Sequence, residues 1–253
     1  MWPSIKEIIF PESLDHAVTL IENGAEFFAG GTYLVADRDS SIHTLIDINK
    51  LISNDITVSY GGVEIGAGAD LQKFIDTAVS VNPDCRLIKA AKWSCSSKNI
   101  RNQRTMGGEI AKRRINSEVM VFLLVVNADL TIFTDKEKTI SIRDWNGKGI
   151  ITKISYYPAR LESVEIQRYS VIPSAPAVVI AAGVRKGNML TFTVGGKAID
   201  FSRFVLPIKK YEENRLENFA TKAAGNFFND HYGSVDYKRH LIYTALKRMK
   251  EKL

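Results

Sequence analysis

Two glycine pairs, far apart in the sequence, constrain this chain more than any other feature. Gly30 and Gly31 follow a short apolar segment, whereas Gly107 and Gly108 follow Thr105 between two predicted helices. Glycine has no Cβ, so the backbone can bend there and come close to a ligand. Successive free N–H groups in such a bend suit anions, particularly beside a helix N-terminus. Taken alone, each pair is most simply an ordinary turn, so the two have to be interpreted together.

The composition is that of an ordinary globular protein. The chain has 253 residues, of which 45% are hydrophobic and 25% charged, enough for one large domain or two smaller ones. The net charge of +6 and the pI near 9.2 suggest acidic partners. However, the densest basic stretches lack the interleaved aromatic residues that favour single-stranded nucleic acid. We therefore predict no nucleic-acid partner.

Metal and membrane sites are not indicated by the sequence. Cys85 and Cys95 are the only cysteines, too few for a four-thiolate iron–sulfur cluster or a zinc ribbon. The four histidines show no ligand spacing with each other or with the cysteines. No signal peptide is visible, and no apolar run reaches the roughly 18 residues that cross a bilayer. The sequence predicts a cytoplasmic protein without membrane insertion or a metal site.

The first glycine pair lies within a predicted βαβ unit. Ser13 is placed to cap a helix, and residues 26–29 form a short strand that runs directly into the pair. A helix at residues 33–36 and a strand at residues 43–48 complete the unit. Ligands of such sheets usually bind at the carboxyl ends of the strands, which is where this pair would lie.

The rest of the chain divides into two further parts. Residues 56–157 predict a hairpin around Gly61-Gly62, then helices from Asp70, over 86–93 and over 118–127, and strands at 128–133, 138–142 and 149–157. Residues 158–253 predict strands at 163–168, 177–184 and 189–195, followed by amphipathic helices at 211–224 and 237–252. We predict an α+β protein with lobes at 1–55 and 56–157 and a C-terminal domain at 158–253.

Five motifs in the same order resemble one known family. They are Ala29-Gly30-Gly31-Thr32, Thr44-Leu45-Ile46-Asp47-Ile48-Asn49, Val63-Glu64-Ile65-Gly66-Ala67, the segment from Arg101-Asn102 to Thr105-Met106-Gly107-Gly108, and Ser234-Val235-Asp236-Tyr237-Lys238-Arg239. Together they resemble the flavin subunits, or medium chains, of molybdenum hydroxylases such as xanthine dehydrogenase and carbon monoxide dehydrogenase. The resemblance implies a two-lobed FAD-binding domain of the vanillyl-alcohol-oxidase/PCMH type. A small α+β C-terminal domain, with a three-stranded antiparallel sheet and helices, would follow.

The resemblance also implies a cofactor, FAD, and the residues that bind it. Backbone N–H groups and threonine hydroxyls of the two glycine segments would hold the diphosphate, through Ala29, Gly30, Gly31, Thr32, Tyr33, Thr105, Gly107 and Gly108. Ile150 and Ile151 fall where the family packs aliphatic side chains near the isoalloxazine. Ser117 matches the family, and Glu118 replaces an aspartate that contacts the flavin side.

Several residues of the second glycine segment depart from the family pattern. Glu109 stands where the family usually has asparagine, and Lys112, Arg113 and Arg114 replace small residues. A carboxylate at position 109 would repel a diphosphate unless Arg113 or Arg114 neutralises it or it points to solvent. These changes predict FAD binding that is looser, or altered in mode.

The function implied by the resemblance is electron transfer within an enzyme complex. Electrons would pass from a molybdenum-cofactor subunit through a 2Fe-2S subunit to FAD on this chain, and then to NAD+ or another acceptor. We predict no general acid, base or nucleophile here, because the cofactor would carry the chemistry. Two alternatives stay open. One is a stand-alone flavin oxidoreductase, for which the C-terminal part is small and aliphatic. The other is a cofactor-free scaffold paralogue, suggested by Glu109, Arg113 and Arg114.

Overall fold

The first structural unit is a small parallel sheet that ends at the first glycine pair. The computed structural model describes residues 2–210 and 213–253. Its first elements are β1 (Glu7–Ile9), α1 (Leu14–Thr19), β2 (Ala25–Phe28), α2 (Leu34–Asp37) and β3 (Thr44–Asp47). β3 lies between β1 and β2 and is parallel to both. The Ser13 hydroxyl caps α1, accepting the His16 N–H at 3.1 Å. The predicted βαβ unit is confirmed, with the glycine pair just beyond the carboxyl end of β2.

The second unit is an antiparallel sheet of five strands in the order β4-β5-β8-β6-β7. The strands are β4 (Ile56–Val58), β5 (Val63–Gly66), β6 (Asp129–Phe133), β7 (Glu137–Ser141) and β8 (Ile150–Tyr156). Five helices are inserted between β5 and β6, namely α3 (Leu71–Val81), α4 (Arg86–Ser94), α5 (Lys98–Arg101), α6 (Met106–Ala111) and α7 (Glu118–Val126). The second glycine pair therefore lies in the first turn of α6.

Helix α7 is the central packing element. Eight of its nine residues are buried, because it contacts α4 on one side and three strands of the C-terminal sheet on another. A helix that is apolar on all faces is stable only when it is surrounded in this way. Its burial also fixes the positions of Ser117, its N-cap, and of Glu118 at its first residue.

The C-terminal sheet has four antiparallel strands, so the predicted count of three is wrong. They are β9 (Ser163–Tyr169), β10 (Val179–Lys186), β11 (Met189–Gly196) and β12 (Ser202–Pro207), in the order β12-β11-β10-β9. After Phe201 the sequence predicts only helices, at residues 211–224 and 237–252. Instead, Ser202 and Leu206 are buried while Arg203 and Val205 are exposed, the alternation of an edge strand. That pattern is short and carries two polar residues, which concealed it in the sequence.

Two helices cover one face of the C-terminal sheet. They are α8 (Glu213–Ala224) and α9 (Val235–Lys250), and short 3-10 helices occupy Pro158–Arg160 and Ile208–Lys210. The predicted start of the first helix at Tyr211 lies outside the described residues. No helix in the ranges 2–210 and 213–253 combines the length and apolarity that a membrane span requires.

The hydrophobic core extends across the predicted domain boundary. One cluster of buried residues extends from Ala17 to Tyr156 and then includes Ile166, Ile180 and Val184 of the C-terminal sheet. A second cluster lies between the other face of that sheet and helices α8 and α9. The C-terminal sheet is thus packed on both faces. The division at residues 157 and 158 stays a prediction.

Candidate functional site

The two glycine segments line the same cleft. The first, Ala29–Tyr33, follows β2, and the second, Thr105–Gly108, caps and begins α6. A cleft of about 420 Å³ runs between them. Nine of the eleven predicted site residues line it: Ala29, Gly30, Gly31, Thr32, Tyr33, Thr105, Gly107, Gly108 and Ile151. Residues more than seventy positions apart are thereby brought to one concave surface.

Glycine is required at these positions because the backbone segments touch each other. A Cβ on Gly30 would lie 1.8 Å from the carbonyl oxygen of Gln103 and 3.2 Å from the amide nitrogen of Thr105. A Cβ on Gly107 would lie 2.8 Å from the Cβ of Ala67. Both approaches are shorter than atomic contacts allow. These glycines allow the walls of the cleft to pack against each other. The sequence analysis instead predicts that they let the backbone come close to a ligand.

The two segments differ in the hydrogen-bond donors that they leave for a ligand. In the first segment, the backbone N–H groups of Gly30, Gly31, Thr32 and Tyr33 are bonded to no acceptor in the part of the chain that the structure describes. Because free N–H groups in a bend suit anions, this segment has the donor set that a diphosphate needs.

In the second segment the backbone donors of Met106, Gly107 and Gly108 are already used. Met106 donates to the carbonyl of Ala69 at 2.8 Å and Gly107 to that of Ala67 at 2.9 Å. The Gly108 N–H donates to the Thr105 hydroxyl oxygen at 3.1 Å. The expected free N–H groups at Gly107 and Gly108 are therefore absent, because the segment pairs with the chain after β5. Thr105 can still offer two donors, its hydroxyl proton and its backbone N–H, which is bonded to no acceptor in the described part of the chain.

Tyr33 and Arg104 form one wall of the cleft. The centre of the Tyr33 ring is 4.1 Å from the guanidinium carbon of Arg104 and 4.6 Å from that of Arg114. The Arg104 Nε donates to the Thr32 hydroxyl at 3.3 Å, and its Nη1 to the Ser94 carbonyl at 3.1 Å. The sequence reasoning missed Arg104, since an arginine that precedes a threonine has no distinctive pattern.

Glu109 points into the protein and not towards the cleft. Its side chain is fully buried and accepts the Tyr33 hydroxyl at 2.8 Å and the Ser117 hydroxyl. Arg104, at 3.8 Å, is its cationic partner, where the sequence suggested Arg113 or Arg114 or a turn to solvent. Burial, and next the negative charge of Glu109, raise the pKa of Tyr33 well above its usual value.

Arg113 and Arg114 have other partners. The Arg113 Nη1 donates to the carbonyl of Trp145 at 2.7 Å, and Arg114 donates to Asn116 at 3.3 Å. Lys112 pairs with Asp37 at 2.6 Å, which links the end of α6 to α2. The basic residues that depart from the family pattern thus have structural contacts of their own.

Ser117 and Glu118 line a second cavity and not the cleft. This cavity measures about 220 Å³, and among the described residues it shares only Tyr33 and Arg104 with the cleft. Glu118 is 2% exposed and pairs with Arg168 at 2.6 Å. Burial raises its pKa above the ordinary carboxyl value, although Arg168 acts in the opposite direction. Of the eleven predicted site residues, Ser117 and Glu118 thus line only the second cavity, Tyr33 lines both, and the other eight line only the cleft.

The cleft fits the groups of a flavin dinucleotide. Free N–H groups of the first segment and the Thr105 hydroxyl provide donors without a neighbouring carboxylate from Glu109, which suits a diphosphate. Ile48, Ile52, Ile150 and Ile151 give the cleft an apolar side, which suits a planar ring. Glu26, Asp37 and Asp39 also border it, and they can accept hydrogen bonds from hydroxyl or amino groups.

The hydrogen bond between Tyr33 and Glu109 is expected to contribute measurably to the unfolding free energy of the protein. Replacing Tyr33 by phenylalanine leaves a fully buried carboxylate oxygen without its donor, which costs about 1–3 kcal/mol of unfolding free energy. Urea denaturation measures this loss. Tyr60, 76% exposed, is the control, and Tyr60→Phe is expected to change stability by less than about 0.5 kcal/mol. Equal effects of the two changes would show that the Tyr33 hydroxyl does not support Glu109.

Comparison with known sequences identifies the family. Residues 4–154 match the family described as the FAD binding domain in molybdopterin dehydrogenase. The uncharacterized protein YgfM of Escherichia coli strain K12 is 28% identical over 258 residues, covering 94% of this chain and 92% of that protein. The 6-hydroxypseudooxynicotine dehydrogenase complex subunit alpha of Paenarthrobacter nicotinovorans is 29% identical, over 52% of this chain and 46% of that protein. The glyceraldehyde dehydrogenase medium chain of Sulfolobus acidocaldarius is 25% identical and covers 99% of both chains.

Solved structures show the same fold. A chain of the carbon monoxide dehydrogenase from Hydrogenophaga pseudoflava has a TM-score of 0.78 and 20% identity, with 96% of this chain and 95% of that chain covered. A chain of quinoline 2-oxidoreductase from Pseudomonas putida 86 has a TM-score of 0.75 and 19% identity, with 98% and 95% covered. The family match extends over more than half of the sequence and includes both glycine segments. The chain is thus an oxidoreductase subunit with FAD as its cofactor, and it belongs to the family of FAD binding domains in molybdopterin dehydrogenases.

Proposed function

We propose that this chain is the electron-transfer subunit of a multi-subunit molybdenum hydroxylase. It would receive electrons from iron–sulfur clusters on a 2Fe-2S subunit and pass them to NAD+ or another acceptor. Oxidation of the substrate would take place on a separate molybdenum-cofactor subunit. The observation that carries the proposal is that both glycine segments of an FAD-binding family line one cleft, and that one of them leaves four backbone donors free.

The residues that would hold the cofactor follow from the donors and walls of the cleft. The N–H groups of Gly30–Tyr33 and the Thr105 hydroxyl would bind the diphosphate, and Ile150 and Ile151 would pack against the isoalloxazine. Gly107 would act by letting α6 approach the chain after β5, and Gly108 by leaving room for the Thr105 hydroxyl. Bound FAD supplies the capacity to accept and release electrons. The chain's own contribution is to position it and to keep the Glu109 charge away from the diphosphate.

The names of two relatives support a subunit role over a complete enzyme. One is named as a complex subunit alpha and the other as a medium chain. Both names describe parts of larger enzymes.

The purified chain is expected to carry FAD or to take it up. Absorption spectroscopy should show a flavin band, and denaturation should release one FAD per chain. A colourless protein that fails to bind added FAD would contradict the assignment and favour a cofactor-free scaffold.

The subunit role has its own test. In the complex reconstituted without FAD, substrate should still reduce the iron–sulfur clusters, but reduction of the acceptor should stop until FAD is added. Turnover of a small substrate by the isolated, FAD-loaded chain would instead favour the stand-alone oxidoreductase.

A further inference from the structure

Two short helices continue the glycine segments that line the cleft. α2 follows the first segment and ends at Asp37, whereas α6 begins with the second segment and has Lys112 as its C-cap. Asp37 and Lys112 form an ion pair, and both residues border the cleft. The two walls of the cleft are therefore joined at the far ends of these helices as well as near the glycines.

The contacts between the two walls differ in how readily they can open. The backbone of the second wall packs closely against Gly30, and Tyr33 donates to the fully buried Glu109. Opening either contact would disturb the packed interior. Asp37 and Lys112 instead meet at 2.6 Å through side chains that are 43% and 38% exposed. This contact can open into solvent by rotation of two flexible side chains.

The exposure of the ion pair also shows where it lies. Because both side chains border the cleft and are reached by solvent, the pair lies where the cleft opens to solvent. A contact between two walls at an opening restricts passage in both directions and has to open before a ligand can cross it. Such a contact slows entry and release alike, whereas a direct contact to a bound ligand slows release alone.

We propose that Asp37 and Lys112 form a clasp across the opening of the cleft, and that this clasp must open for FAD to enter or leave. The inference rests on the proposed binding of FAD in the cleft, but not on the electron-transfer role. Lys112 replaces a small residue of the family pattern, so the resemblance to the family does not imply the clasp.

Stopped-flow measurements of FAD entry and release test the clasp. The cofactor-depleted chain is mixed with FAD to obtain the association rate, and the loaded chain is diluted to obtain the release rate, with flavin fluorescence as the readout. Lys112→Met and Asp37→Asn should each raise both rates about two- to fivefold, the range for the loss of an exposed ion pair. Because entry and release change together, the dissociation constant should stay nearly unchanged. The double variant should be no faster than the faster single variant, since both substitutions remove the same pair.

A second exposed ion pair provides a matched control. Glu162 pairs with Arg185 at 2.7 Å through side chains that are 49% and 38% exposed, and these two described residues lie outside the set that borders the cleft. Glu162→Gln should therefore leave both rates unchanged. Lys112→Arg keeps the positive charge and should keep both rates close to those of the wild type.

Other outcomes would overturn the clasp. Rates that stay the same in Lys112→Met and Asp37→Asn would show that FAD does not pass between these side chains. Slower entry in Lys112→Met would show that the lysine acts on the diphosphate by its charge, offsetting Glu26 and Asp39, which also border the cleft. A wild-type chain that takes up no FAD would overturn the proposed function together with the clasp. Normal uptake with rates insensitive to both substitutions would overturn the clasp alone.

Discussion

Replacing Gly30 by alanine is expected to abolish the retention of FAD and to lower the unfolding free energy by about 3 kcal/mol or more. The new Cβ would lie 1.8 Å from the backbone oxygen of Gln103. A backbone atom cannot move aside as the end of a flexible side chain can. The first glycine segment would have to separate from the chain before Thr105, and the free N–H groups and the Thr105 hydroxyl would no longer face the same space.

Gly61 provides a matched control for this change. It is exposed in the turn between β4 and β5, and a Cβ there would meet only the Ser59 hydroxyl oxygen at 3.8 Å. Gly61→Ala should therefore alter neither the flavin content per chain nor the urea midpoint. If Gly30→Ala behaved like Gly61→Ala, the two glycine segments could not be in contact, and the cleft would have to be built differently.

The two segments that line the cleft could be predicted from the sequence, because each is marked by a local pattern. The strand before Gly30 and the hydroxyl residue Thr105 before a helix are readable from spacing alone, as are the caps Ser13 and Asp70. Asp70 indeed accepts the Lys73 N–H at 2.8 Å. That the two segments share one cleft was inferred from the resemblance to the family. Hydrophobic periodicity alone does not show it.

The partners within the site could not be predicted, because they depend on how distant segments pack. Whether Glu109 faces the cleft or the interior depends on a single turn of α6, and its partners Tyr33 and Ser117 come from different elements. The hydrogen bond of Gly107 also depends on distant packing. Its N–H donates to the Ala67 carbonyl only because α6 packs against the end of β5. The sequence therefore predicted which residues lie in the region, but not which groups remain free to bind.

Replacing Arg168 by methionine is expected to destabilise the fold by about 3–5 kcal/mol at neutral pH, because it leaves a buried carboxylate without its partner. The two side chains are 6% and 3% exposed and joined at 2.6 Å. Lys153 and Glu64 form an exposed pair, 45% and 48% accessible at 3.7 Å, so Lys153→Met should cost less than about 1 kcal/mol. Urea denaturation of the two variants measures the difference directly.

The pH dependence of the destabilisation distinguishes two causes in Arg168→Met, the loss of the ion pair with Glu118 and the loss of packing. Burial raises the pKa of Glu118 above its ordinary value of 4.5 in the folded protein. The folded state therefore holds the proton at a pH where the unfolded chain has released it. The stability contributed by this carboxyl is full below the unfolded pKa and declines as the pH rises through the folded pKa.

Without Arg168, ionised Glu118 has no partner, so the cost of Arg168→Met should be largest at neutral pH and shrink as Glu118 becomes protonated. The double variant Glu118→Gln/Arg168→Met should lose this pH dependence. A cost that stayed constant with pH in the single variant would mean that Arg168 acts through its packing alone, and that the carboxylate beside the second cavity does not need a counterion.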